Sequence, residues 1–159
     1  MEQHAYIELN FRPNVQLVSV VRRFVSEFYQ RFLDPDGTSR VALATHELLE
    51  NAVKYSRDGE TTIRIEVLEA SPRRIRIQLR NRAELHHIHA IREIVDGVAI
   101  AEDAMAFYQA LIKRKAKNKG GSGLGLARIC AEGEMKIVYD VQGDMILIEA
   151  TTSILENKP

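Results

Sequence analysis

Gly120-Gly121-Ser122-Gly123-Leu124-Gly125-Leu126 decides the reading of this chain once it is set beside Glu47-Leu48-Leu49-Glu50-Asn51-Ala52-Val53-Lys54 far upstream. A basic stretch (Lys113, Arg114, Lys115, Lys117, Lys119) leads into the glycine run, and an apolar helical pattern (Leu124, Leu126, Ala127, Ile129, Cys130) leads out of it. A glycine-rich turn that opens a helix presents bare backbone N–H groups at the partially positive helix end, which makes an anion site. The run is not a Walker loop, because Leu126 follows Gly125 where Lys and then Ser or Thr would be needed. Nor is it a dinucleotide fingerprint, since it reads Gly-x-Gly-x-Gly and follows a basic helical segment instead of a strand. By itself the run reads equally well as a connector to the last hairpin. The upstream helix gives it a second meaning.

Residues four and seven apart share a helix face, at about 100° per residue. Glu47, Asn51 and Lys54 therefore form one polar stripe beside the apolar stripe Ala44–Leu48–Ala52. Such a stripe supplies a carboxylate base, a neutral oxygen for magnesium and a cation for phosphate. Magnesium keeps most of its waters and phosphate oxygens, so one Asn oxygen is chemically sufficient. The plainer reading is a solvated face on which Glu50 and Lys54 form an i,i+4 ion pair, worth roughly 0.2–0.5 kcal/mol.

Composition narrows the field. A chain of 159 residues with 45% hydrophobic content fits a single domain, 1–159, with a proper core. Zero formal net charge makes nucleic acid and membrane surfaces poor default partners. The one cysteine, Cys130, sits in an apolar helical pattern and reads as a buried small hydrophobe, which suits a reducing cytoplasm. The polar start and the absence of a long apolar run give no sign of a signal peptide or membrane span. His86-His87-x-His89 reads as a polar helix face in preference to a metal site, because no second ligand pair accompanies it.

Periodicity predicts a strand over Ala5–Asn10 and a helix opening at Pro13-Asn14, with Leu17, Val18, Val21, Phe24, Val25, Phe28 and Phe32 on its inner face. Asp34-Pro35-Asp36-Gly37 is expected to stop that helix. A second helix is expected from an N-cap near Thr38 or Ser39 to about Tyr55, burying Val41, Ala44, Leu48 and Ala52. Two alternating strands follow, with Ile63, Ile65 and Val67 on one face, then Ile75, Ile77 and Leu79, and a turn at Ser71-Pro72. Ala83–Lys119 is helical twice over, broken at Asp96-Gly97. The last hairpin is Lys136–Val141 and Met145–Thr151. Hairpin strands with helices between them imply an α/β sandwich: a mostly antiparallel mixed sheet with helices packed on one face.

His46 to Ser56 resembles the N-box helix, and Gly121-Ser122-Gly123-Leu124-Gly125-Leu126 the second glycine box, of the GHKL (Bergerat-fold) ATP-binding domains of histidine kinases and anti-sigma-factor serine kinases. The order of elements from Val15 to Thr151 is similar too. The resemblance implies ATP and Mg2+ as ligands, Asn51 as the magnesium residue and Glu47 as the general base. It implies Lys54 facing phosphate, and Gly121, Ser122, Gly123, Leu124 and Gly125 wrapping the triphosphate. After the second central strand these domains carry Asp-x-Gly-x-Gly, where this chain has Arg80-Asn81-Arg82-Ala83-Glu84-Leu85. Asn81 then takes the adenine-facing position with an uncharged amide, which both accepts and donates. The lid is a helical insert over Glu84–Lys119. In these features the chain is also similar to the SiaB-type bacterial protein kinases.

Two functions follow from the resemblance. One is a small ATP-dependent Ser/Thr protein kinase acting on a regulatory protein in bacterial signalling. The other is a degenerate ATPase-like module that sequesters a regulator such as a sigma factor, binding nucleotide weakly or not at all. Retention of Glu47, Asn51 and the glycine box favours the kinase, and loss of Asp-x-Gly-x-Gly favours the module. A homodimer is left open, and no dimerisation helix with a phospho-acceptor His is expected to precede the domain.

Overall fold

The computed structural model describes residues 6–57, 60–69, 72–118 and 123–154. Strand β1 (Tyr6–Phe11) is followed by helices α1 (Val15–Tyr29) and α2 (Pro35–Tyr55), then strands β2 (Thr61–Leu68) and β3 (Arg74–Arg82). Helices α3 (Leu85–Ile100), α4 (Ala104–Asn118) and α5 (Leu124–Ala131) precede the closing hairpin of β4 (Lys136–Gln142) and β5 (Met145–Ser153). The strands form one sheet in the order β1-β2-β3-β5-β4. Every pairing in it is antiparallel, so the mixed character expected from sequence gives way to a uniform ladder. Sheet and helices together make an α/β sandwich.

A two-residue period sends alternate side chains to opposite faces of a strand. Ile63, Ile65 and Val67 of β2, Ile75, Ile77 and Leu79 of β3, and Ile146, Ile148 and Ala150 of β5 all enter the core. Register places Ile63 opposite Leu79, and Leu79 opposite Ile148, so apolar rows run across three strands. Burial of each of these Ile, Leu and Val side chains contributes roughly 1.5–3 kcal/mol. On the other face the residues are polar and paired. Arg64 donates to Glu8 at 3.0 Å and to Glu66 at 3.3 Å, Arg76 pairs with the same Glu66, and Gln78 donates to Glu149 at 2.8 Å. From α2, Val41, Ala44, Leu48 and Ala52 are all fully buried, as their spacing requires.

Several boundaries differ from the sequence expectation, each for a local reason. Asp34-Pro35-Asp36-Gly37 opens α2: Asp34 is its N-cap, its side chain accepting from Gly37 N at 3.0 Å, and Pro35 takes the first turn. Proline is well placed there, since its missing N–H has no intrahelical partner at that position. Thr38, expected as the cap, turns back so that its hydroxyl donates to the Asp34 carbonyl at 2.9 Å. In α1 Val18, Val25 and Tyr29 are buried and Val21 and Phe28 pack against the core as expected, while Leu17 and Phe24, and Phe32 beyond the helix end, are exposed. Tyr29 takes the inner position because its ring is apolar and its hydroxyl finds a buried acceptor, the Ile65 carbonyl, at 3.0 Å. Asp96-Gly97 lies within α3, not at a break. The space where Gly97 lacks a side chain is taken by Phe107 of α4, whose Cζ would be 2.9 Å from a Cβ there. Strand β1 runs one residue past its expected end, to Phe11, and its expected first residue, Ala5, lies outside the described residues.

Candidate functional site

The second half of α2 meets the start of α5 beneath α3. Glu47, Glu50, Asn51, Lys54 and Tyr55 of α2, with Gly123 and Gly125, line a cleft of about 30 Å³. An adjoining recess of about 10 Å³ is bounded by Asn51, Tyr55, His87, Ala90, Ile91 and Gly123. The helical period thus brings the Glu47–Asn51–Lys54 stripe onto one wall, and the glycine segment forms the wall opposite.

Glu47 is the most tightly held member. Its side chain is only 11% exposed, and Oε1 accepts from Arg128 Nη1 at 2.9 Å. Arg128 Nε also donates to Glu132 at 2.6 Å. Hydrogen bonding to Glu132, and then to Glu47, holds the guanidinium's pKa above its ordinary value, so the cation is permanent. Gly125 makes the contact with α5 sterically possible, because a Cβ at that position would collide with Glu47 Oε2. Tyr108 of α4 feels the same charges; burial first, then Glu132, pushes its phenol pKa up.

Asn51 is 9% exposed, lines both recesses and has no side-chain hydrogen-bond partner among the described residues. A nearly buried amide is ordinarily satisfied. This one is left with its valence toward the cleft. Lys54 projects outward, 4.0 Å from Glu50, which also meets His46 Nε2 at 3.4 Å.

Gly123 is the N-cap of α5, with φ +97° and no side-chain capping bond. Only glycine adopts that backbone without strain. A Cβ on it would lie 2.6 Å from Ile94 Cγ1, so α3 seats directly on the turn. The first amides of α5 thus lack a capping side chain, as an anion-accepting helix end requires. Leu124 packs against the core. Gly121 and Ser122 lie outside the described residues.

Asn81 is placed differently from its neighbours in the motif. It is 1% exposed on β3, opposite Ile146, and its Nδ2 donates to the Arg82 carbonyl at 3.0 Å. Its Oδ1 is buried with no partner, and Asn81 lines neither recess. The bridge between Ser56 and Ala83, with Arg57 N donating to Arg82 O at 2.8 Å, ties the end of α2 to the end of β3.

Sequence reasoning missed Arg128 and Ile94, and it gave Tyr55 and His87 no place in the cleft. Arg128 left a faint signal as the single charged residue in an otherwise apolar α5. The His87 ring lies 4.5 Å from that of Tyr55. Burial first, and then the neighbouring His86, lowers the His87 pKa, leaving the imidazole neutral near pH 7.

The donor set suits a magnesium–nucleotide: a free amide oxygen, a carboxylate and open helix amides. The space does not, in this conformation. About 30 Å³ is one water's share of liquid volume, so the described cleft does not hold a nucleotide in this conformation. Among the described residues no cluster of three or more His, Cys, Asp and Glu side chains is arranged to hold a metal, and no helix is long and apolar enough to cross a membrane.

No family profile matches the sequence, and no curated protein is significantly similar to it. Among solved structures, the chain is similar to one from the crystal structure of the SiaB–SiaC complex from Pseudomonas aeruginosa. The TM-score is 0.69 at 15% identity, over 92% of this chain and 88% of that one. The likeness shows a shared fold.

Proposed function

We propose that this protein is a magnesium- and ATP-dependent Ser/Thr protein kinase acting on a regulatory protein, of the SiaB and anti-sigma-kinase kind, with α3 closed on its nucleotide cleft. The observation that carries this reading is Asn51, a nearly buried amide without a protein partner, set between Glu47 and the uncapped end of α5. Fold similarity to a chain from a two-protein complex supports the expectation of a protein partner.

In this reading Asn51 Oδ1 holds the magnesium, which would neutralise charge on the phosphate oxygens. Glu47, once released by Arg128, accepts the proton of the substrate hydroxyl as its oxygen bonds to the γ-phosphorus and ADP leaves. The α5 amides and Lys54 stabilise the transferring phosphoryl group. Catalysis is then mainly positioning and electrostatics, as in phosphoryl transfer generally.

Calorimetric titration with ATP, with and without magnesium, tests this directly. Wild type should bind in a magnesium-dependent way, and Asn51→Ala should lose that binding with an unchanged circular dichroism spectrum. A second reading, a module that sequesters its regulator, is favoured by the small cleft and the Arg128–Glu47 pair. Absence of nucleotide binding in wild type would select it.

A further inference from the structure

The exposed apolar side chains of α1 form a ridge. Phe24, Phe28 and Phe32 stand four residues apart with successive ring centroids 6.1 Å and 5.3 Å apart, and Leu17 and Val20 extend the row toward the helix start. Phe24 is 49% exposed, Phe32 43% and Val20 58%, so about half of the row is left to water. Its direction follows from the helix period. Ser19, Arg22 and Ser26 share a groove with Ser39 and Ala42 of α2, and the ridge lies about 180° around α1 from them. Helix α2 packs against β3, whereas Tyr29 of α1 reaches β2, one strand from the edge. The ridge therefore points past β1. That strand ends the sheet, pairs with β2 in unbroken register, and has no second strand beside it among the described residues. On its inner face Leu9 and Phe11 are only partly buried.

We propose that this flank joins two copies of the chain about a two-fold axis, α1 packing on α1 and β1 pairing antiparallel with β1, so that two five-stranded sheets become one. Two half-exposed phenylalanines with Leu17 and Val20 leave on the order of 300 Å² of apolar surface, the size at which a patch marks an interface. The open edge, roughly 20 Å long, adds backbone donors and acceptors toward the about 800 Å² that each partner buries in a stable pair. A second copy fits for three reasons. A row with equal spacing reads the same in both directions, so antiparallel ridges set each Phe24 against the other copy's Phe28 and each Val20 against its Phe32. The ridge carries no charge, so like charges do not meet at its centre. Arg23 and Glu27, one of each sign, border it on the α2 side and answer each other across the axis. None of this depends on nucleotide binding.

Sedimentation velocity of the full chain without nucleotide, from about 1 to 100 µM, tests it. Wild type should pass from monomer to dimer in that range. Phe24→Asp and Val20→Asp place an unpaired charge on the ridge. Each should weaken dimerisation at least about 20-fold with an unchanged circular dichroism spectrum. Val138→Asp, exposed on the opposite edge strand β4, should stay within about twofold. In hydrogen exchange, β1 amides should gain protection in the dimeric wild type and not in Phe24→Asp at the same concentration. A wild type that is monomeric at about 100 µM would overturn the proposal, as would undiminished dimerisation by folded Val20→Asp. Dimers whose β1 amides exchange as in the monomer would overturn the strand pairing.

Discussion

The two hollows flanking Ile94 divide chemistry and space between them. The cleft at Gly123 and Gly125 has a carboxylate, an unsatisfied amide and open helix amides, but about 30 Å³ of room. The cavity between α3, α5 and β4 has about 320 Å³ and no group suited to phosphoryl transfer; its Cys130 thiol is pushed up to about 11 by burial. What separates them is one helix. The difference teaches that the bare backbone of Gly123 lets α3 rest on the turn through Ile94, which also walls the apolar cavity. Gly123 and Gly125 hold protein side chains against the turn here, Ile94 and Glu47 respectively. In the proposed function the same bare backbone serves a triphosphate once those side chains withdraw.

The largest expected effect is at Glu47. Glu47→Gln should retain nucleotide binding and lose phosphoryl transfer by about 10² to 10⁴, the usual range for a general base. Initial rates of partner phosphorylation measure it, and equal rates in the two proteins would remove Glu47 from the base role.

Next comes the cation that holds it. Arg128→Met leaves the Glu47 carboxylate largely buried without its donor and should cost about 1–3 kcal/mol in urea unfolding. Glu132→Gln removes the more exposed partner and should stay within about 0.5 kcal/mol. If both variants unfold alike, the Arg128–Glu47 contact does not set the cleft's closed geometry.

A smaller effect compares two glycines with positive φ. Gly143 (φ +64°) has open space where a Cβ would go, whereas Gly123 (φ +97°) meets Ile94. Gly143→Ala should cost about 1 kcal/mol from backbone strain alone. Gly123→Ala should cost measurably more, and Ile94→Val in the same chain should recover part of the excess. Equal costs would mean that α3 does not rest on the turn in solution.

The smallest is a pH effect in the cavity wall. Burial raises the Cys130 thiol to about 11 from an ordinary 9.0. Iodoacetamide labelling should therefore be slow at pH 8 and climb toward about pH 11. The proton is held more tightly in the folded chain, so this group's contribution to stability is complete below about pH 9 and lost as pH rises through about 11. Labelling at pH 8 as fast as a free thiol would place Cys130 outside the wall.

The layered fold was legible because its signals are local. Period-two apolar runs at Ile63–Val67 and Ile75–Leu79 and the Ala44–Leu48–Ala52 stripe each name a face without knowledge of a partner. The α2 boundary was misread because Thr38 and Asp34 both qualify as caps, and only the Gly37 N–H chooses between them. Tyr29 was overlooked because its burial depends on a β2 carbonyl acceptor that no pattern in α1 announces. At the site, helix geometry was enough to put Glu47, Asn51 and Lys54 on one wall. It was silent on Arg128 and Ile94, which reach the cleft through packing of elements distant in sequence. Asn81 shows the opposite case, a motif position whose side chain the strand end turns into the core.

Hydrogen exchange along α3, with and without Mg·ATP, tests most directly whether this helix gates the cleft. Amides from His87 to Ile94 should lose protection on nucleotide addition in wild type, as α3 leaves Gly123, and should not respond in Asn51→Ala. Nucleotide binding that leaves α3 protection unchanged in wild type would contradict the gate.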